Sequence, residues 1–321
     1  MFAVRGIAIS FSIFVLLYSA LSVVVCGGWR RVGLGGQQHS ARGCAGLLFA
    51  LRMAPFVVAT GVTLALAVPS FLLLEPRAVE EPMGGVPVVL GLCGMAVMLA
   101  GIWKAAAALV RASRTVARWS SEARMIGSIA LDSSSAVSVL RVSGAAPPLT
   151  AAGILRPRVW LSRAAEFVLT ERELQSALRH EVVHVRRRDN LRKLILRLVA
   201  FPRMAELESA WREATEMAAD DAAVSSASEA LDLAAAVIKL SRMAPLEAPV
   251  ELTTALVHSP AESVNARVER LIGWRERRQS PAPGYSLGYA LCAAAAVVVT
   301  MAVTYSELLV RVHAATEWLV R

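Results

Sequence analysis

The chain has 321 residues, 56% of them hydrophobic against roughly 45–50% in an ordinary soluble domain, and a formal charge of +9. The hydrophobic excess lies at the two ends, which excludes one large soluble core and points to membrane spans around a soluble block. Cys26, Cys44, Cys93 and Cys292 lie in or beside apolar runs without a Cys-x-x-Cys pair, excluding a disulfide framework and a cysteine zinc site.

Residues 6–25 are uncharged and apolar, about the 20 residues that a helical span needs. The run exceeds a signal-peptide core and no clear small-x-small cleavage site follows, so an uncleaved span is expected. Residues 53–74 form a second run, with Pro55 and Pro69 near its ends. Residues 85–103 form a third, which continues as a helix to residue 119. Residues 287–305 form a fourth, followed by a short amphipathic tail, 306–321. The loop 27–52 carries Arg30, Arg31, Arg42 and Arg52 and no acid, whereas 75–84 carries Glu75, Glu80 and Glu81 against Arg77. Lys104, Arg111, Arg114, Arg118 and Arg124 open the central block. The positive-inside rule then puts the first loop and the central block in the cytoplasm, and the N-terminus, acidic loop and tail outside. The net charge suits anionic lipid. No aromatic-interleaved basic motif indicates nucleic acid.

Three segments follow: 1–110 with three transmembrane helices and short loops, a cytoplasmic domain at 111–284, and 285–321 with the fourth span and tail. Within the domain, residues 136–162 are β-branched, alternating and punctuated by Gly144, Pro147, Pro148 and Gly153, which predicts a small hairpin or sheet edge. Beyond it the pattern is helical. Thr170 and Glu173 form a capping box opening a helix expected to run to Pro202, and further helices are expected over 205–225, 228–242 and 261–278. Arg186, Arg187 and Arg188 read as a solvated or lipid-facing patch.

The first long helix of the domain carries "HEVVH", from His180 to His184. Residues four apart share a helix face, so both imidazoles can address one ion. Glu181, rotated by about 100°, can take a proton from water beside that ion without ligating it. A third ligand is needed from another element, and "WREATEMAADDAAV" supplies Glu216 and Asp220, again four apart. One can ligate while the other accepts a hydrogen bond from the far nitrogen of a ligating histidine. Glu213 and Asp221 are rivals for these roles.

"GILRPRVWLS", "LTERELQSALRHEVVHVRRRDNL" and "EATEMAADDAAV" together resemble the zinc peptidase domain of the BlaR/MecR antirepressor family over residues 136–278. The layout of several spans before the domain and one after is also similar. The best-known members carry a penicillin-binding sensor domain after the last span. Sixteen residues follow it here, so a relative lacking that sensor is expected. The resemblance implies a mainly α membrane protein: a helical transmembrane bundle with a cytoplasmic α+β zincin-like (gluzincin) peptidase domain, multi-pass in a bacterial cytoplasmic membrane. It implies one Zn2+ per chain held by His180, His184 and Glu216, Glu181 as general base, and Asp220 behind a ligating histidine. It also implies that a peptide substrate adds as an extra strand near residues 153–161, beginning at Gly153, Ile154 and Leu155.

The expected activity is hydrolysis of a peptide bond in a cytoplasmic protein, such as a transcriptional repressor, with no direct nucleic-acid contact. A membrane partner or a second copy would complete the assembly. Two alternatives stand beside it. One is a membrane quality-control or processing protease like the HtpX and CAAX-protease relatives, which share both motifs. The other is a membrane sensor or scaffold that does no chemistry.

Overall fold

Long stretches without charge let three helices grow to membrane length. The computed structural model describes residues 2–32, 40–75, 84–132, 135–143, 147–199, 201, 204–243, 252–255, 261–274 and 304–317. Among these, Phe2–Gly28, Ala41–Leu74 and Gly85–Ser121 are long and apolar enough to cross a membrane. The first is α1. The second is a rod of α2 (Ala41–Val62), a wide turn at Thr63–Ala67 and α3 (Val68–Leu74). The third, α4, carries its helix without a break from the apolar run into the basic segment, as the sequence predicts.

The wide turn has a local cause. Pro69 has no N–H to give the carbonyl four residues back, that of Ala65. That oxygen instead accepts a 2.9 Å hydrogen bond from Tyr305 Oη, on a last helix, 304–317. Ser70 Oγ also donates to Leu309 O on that helix, at 3.0 Å. Apart from residues 304 and 305, the expected fourth span, 287–305, lies outside the described residues. At the same end of the bundle Arg5 pairs with Glu75 at 3.0 Å, and His313 Nδ1 lies 3.9 Å from Glu75.

The second span departs from expectation at its start. Residues 41–52 are helix, not loop, and Ser40 caps them by accepting from Gly43 N at 3.1 Å. Tertiary contact is the reason: Ala45 and Leu48 are buried against Leu207 and Trp211. Arg52 is 3% exposed and donates to Val199 O, the carbonyl at the end of a domain helix. It is a helix-capping side chain rather than a loop charge.

The domain is a five-stranded mixed sheet with helices packed on it: β1 (Arg124–Asp132), β2 (Ser135–Val142), β3 (Leu149–Ala152), β4 (Arg158–Ser162) and β5 (Thr253–Ala255), in the order β1-β2-β4-β3-β5. The strands expected at 136–162 form, but not as a plain hairpin. β4 runs parallel to β2 and antiparallel to β3, and β1 and β5 are additional. α5 (Arg163–Val168) leads to α6 (Glu171–Arg187), α7 (Asp189–Leu198), α8 (Ala205–Ala223), α9 (Ala227–Met243) and α10 (Ala261–Ile272). The capping box at Thr170 is present in both directions. The single helix expected from residue 171 to Pro202 is broken at Arg188, which adopts the left-handed conformation, φ 54° and ψ 41°. α10 ends at Ile272, before the expected 278, and residues 275–278 lie outside the described ones.

Val137, Val139, Leu149, Val159 and Leu161 of the sheet are buried against Ala177 of α6 and Leu233, Val237 and Leu240 of α9. The domain is also joined to the bundle. A side chain at Gly101 of α4 would place its Cβ 2.1 Å from Leu198 O of α7, so the two backbones touch. Gly101→Leu is therefore expected to lower the thermal midpoint of the detergent-solubilised protein, at a cost of about 1–3 kcal/mol. Gly61→Leu, where nothing lies within 4 Å, should leave it unchanged.

Candidate metal centre

His180 and His184 stand one turn apart on α6, and both are buried. Their Nε2 atoms are 3.0 Å apart, with ring centroids at 4.7 Å. Glu216 arrives from α8, with Oε2 3.4 Å from His180 Nε2 and Oε1 3.6 Å from His184 Nε2. The three side chains bring one ligand atom each within 4.8 Å of one another. The expected triad is therefore brought together. The rivals are not: Glu213 is exposed, and Asp221 pairs with Arg270 at 2.7 Å on the surface.

The far sides of both rings face carboxylates. His180 Nδ1 lies 3.0 Å from Asp220 Oδ1, the partner expected from the four-residue spacing. His184 Nδ1 lies 2.8 Å from Asp189 Oδ2. These acceptors favour the proton on Nδ1 and leave the Nε2 lone pairs turned inward. The Asp189 contact depends on the break at Arg188. The left-handed residue turns the chain so that the first carboxylate of α7 comes back under α6. Asn190, next in line, donates to Ala151 O at 3.1 Å and to Gly153 O at 3.3 Å, clamping α7 to β3.

A buried guanidinium closes the other side. Arg267 of α10, 1% exposed, donates through Nε and Nη2 to the two oxygens of Asp220 at 2.8 and 2.7 Å, and its Nη1 is 3.2 Å from Glu216 Oε2. Glu181 is fully buried beside the triad. Its Oε2 accepts from Ala151 N of β3 at 2.9 Å, and its Oε1 has no hydrogen-bond partner among the described residues.

Sequence reasoning missed Asp189, Arg267 and the backbone of Ala151. Asp189 left a trace, an acid directly after the arginine run. Arg267 left none, because it lies on a separate helix amid other charges. Gly153, Ile154 and Leu155 need correction as a substrate strand. They form the turn between β3 and β4, where Gly153 takes a φ of 104° and Leu155 is 94% exposed. β4 is flanked on both sides by β2 and β3. The strand beside Glu181 is β3.

Burial opposes charge on every member of the group, and the partners decide the outcome. Burial pushes the Glu181 carboxyl up to about 7, against the pull of both histidines. Burial disfavours the His184 imidazolium, but Glu216 and Asp189 outweigh it and raise its pKa to about 10. His180 is raised too, by Asp220 and Glu216, against burial. Glu216 is held well below the carboxylate range despite burial, by His184 and then Arg267. Arg267 likewise lowers Asp220 to about 2.

The raised pKa of His184 means that a proton sits among the inward nitrogens and Glu216 near neutrality, in the place that a bound cation would take. Two imidazole nitrogens and a carboxylate oxygen are the donor set that Zn2+ takes in three-ligand sites. The residues fit that ion. No protein-family model matches the chain, and no curated protein is significantly similar to it.

Two outcomes are expected. Asp189→Ala frees the His184 ring and should weaken Zn2+ binding about 10–100-fold in a chelator competition. Asp220, depressed from 3.8 to about 2, stabilises the fold above pH 3.8, and that contribution fades as the pH falls through about 2. In an acid titration followed by tryptophan fluorescence, Asp220→Asn should remove this pH dependence and leave the protein less stable at pH 7.

Proposed function

We propose that the chain is an integral-membrane, zinc-dependent endopeptidase of the gluzincin type, similar to the BlaR/MecR antirepressor proteases, acting on a peptide bond in a cytoplasmic protein. The observation that carries this reading is the convergence of His180, His184 and Glu216 on one point, with Glu181 buried beside it and β3 alongside. His180, His184 and Glu216 would hold one Zn2+. Bound there, the ion would supply Lewis acidity, polarising the scissile carbonyl and easing deprotonation of water.

The chain's own residues do the rest. Glu181 accepts the proton of the attacking water and passes it to the leaving amine, and its burial favours the protonated form it holds between the two steps. Asp189 and Asp220 hold the imidazoles in one tautomer. Arg267 offsets the charge of Asp220 and touches Glu216, whose charge the imidazoles or a bound cation would offset. The Ala151 N–H orients the Glu181 carboxylate and ties it to the strand along which an extended peptide would lie.

The arginine-rich segments on the domain side of the spans support a cytoplasmic domain on a bacterial inner membrane. A protein regulator such as a repressor is the substrate class that the resemblance favours. The test uses the detergent-solubilised full chain and its Glu181→Gln variant, with zinc counted per chain and cleavage followed on a candidate repressor and on the chain itself. One zinc in both proteins with cleavage by the unaltered chain alone is the expected result. A folded sample that binds no zinc would sink the reading and favour the scaffold alternative.

A further inference from the structure

β3 has two neighbours, and the second raises the question of access. On the side away from β4 it pairs antiparallel with β5, in the register Thr150 to Ala255, Ala151 to Thr254 and Ala152 to Thr253. The residue opposite Ala151 is thus Thr254, whose Oγ1 lies 3.3 Å from Ala151 O and 3.5 Å from Glu181 Oε2. Thr150 Oγ1 donates to Thr254 O at 2.6 Å, and Lys193 Nζ of α7 donates to Thr253 O at 2.7 Å. With β5 in place His180, Glu181 and His184 are at most 1% exposed. Glu216 keeps 13% of its side-chain surface, so among the described residues the site is open to solvent at the third ligand and covered along β3.

We propose that β5 occupies the substrate groove of the proposed peptidase as a built-in competitor, and that a substrate enters as an extended strand by displacing it. Three features fit a removable strand. It is three residues long, against eight or nine for β1 and β2. It is entered through Leu252, a non-glycine residue held at φ 60°, in the left-handed region that leucine avoids. The Leu252 side chain is buried against Ala108 and Ala112 of α4, with Ile154 beside them. The strand is therefore anchored on the helix that continues into the membrane, and a shift of α4 would loosen the competitor. The register also names a preference: the substrate residue opposite Ala151 is small or hydroxylated, as Thr254 is.

This inference rests on the peptidase reading for its meaning, but its test reads binding, so the two can fail separately. The probe is a fluorescent synthetic peptide, VELTTALV, the sequence of residues 250–257. It is titrated into the detergent-solubilised full chain carrying Glu181→Gln, and into the same chain with Leu252→Ala, which removes the buried anchor and keeps the strained φ, or Lys193→Ala. A tethered strand competes at an effective concentration of order millimolar, so the parent should bind the free peptide weakly. Both loosened variants, with helix content unchanged by circular dichroism, should bind it at least 10-fold more tightly. Equal binding by parent and variants, or no binding by any folded variant, would overturn the proposal. Failure of the peptidase reading would appear elsewhere, as a folded chain without zinc or cleavage that persists in Glu181→Gln.

Discussion

The site depends on one electrostatic arrangement: two buried imidazoles and the partly buried Glu216 carboxylate aimed at the same point, each held from behind. Left alone, such a cluster would relax by turning a ring or swinging Glu216 away. Asp189 prevents the first at His184 through a hydrogen bond with Nδ1, and Asp220 stands 3.0 Å from His180 Nδ1. Arg267 prevents the second by reaching Glu216 as well as Asp220. Much of the domain's architecture serves these three restraints. α6 supplies the rings, the break at Arg188 returns Asp189 to them, and α8 and α10 pack so that a guanidinium meets Asp220 in the interior.

Burying this much charge is costly unless every group is matched. The balance is close to even: Arg267 against Asp220, and Glu216 and Asp189 against whatever charge the imidazoles carry. Glu181 is the exception. Its nearest fixed partner is a neutral amide, and burial raises its pKa into the range where a carboxyl both takes and releases a proton near neutrality. Two carboxylates within one pocket thus have opposed tendencies, Glu216 firmly charged and Glu181 poised. Contacts with cations do most to separate the two, which share a residue type, and Glu181 is also the more deeply buried.

The domain and the bundle are mechanically continuous. α4 passes from the apolar run into the domain unbroken, touches α7 at Gly101, and buries Leu252 against Ala108 and Ala112. Arg52 of α2 caps the end of α7, and Trp211 of α8 packs against the start of α2. α7 and α8, the two helices that carry Asp189 and Glu216, are therefore in direct contact with membrane-length helices. A displacement within the bundle has a short route to the site.

The sequence by itself determined the three membrane-length helices, the capping box at Thr170, and the pairs His180 with His184 and Glu216 with Asp220. These are local properties: hydropathy sums over about 20 consecutive residues, and a helix repeats every 3.6. Periodicity alone left Glu213 and Asp221 as rivals and the family resemblance favoured Glu216 and Asp220; the packing of α8 leaves Glu213 exposed and pairs Asp221 with Arg270 at the surface. The helix at 41–52 was hidden because its arginines read as a loop until Ala45, Leu48 and Arg52 found partners in α7 and α8. The break at Arg188, the approach of Arg267 from α10, and the pairing of β5 with β3 rather than the turn at Gly153–Leu155 were decided only by the tertiary structure. Each rests on contacts between residues far apart in the chain, 30 positions for Ala151 with Glu181 and 47 for Asp220 with Arg267. No local pattern encodes such a contact, since its energy appears only once both elements are packed.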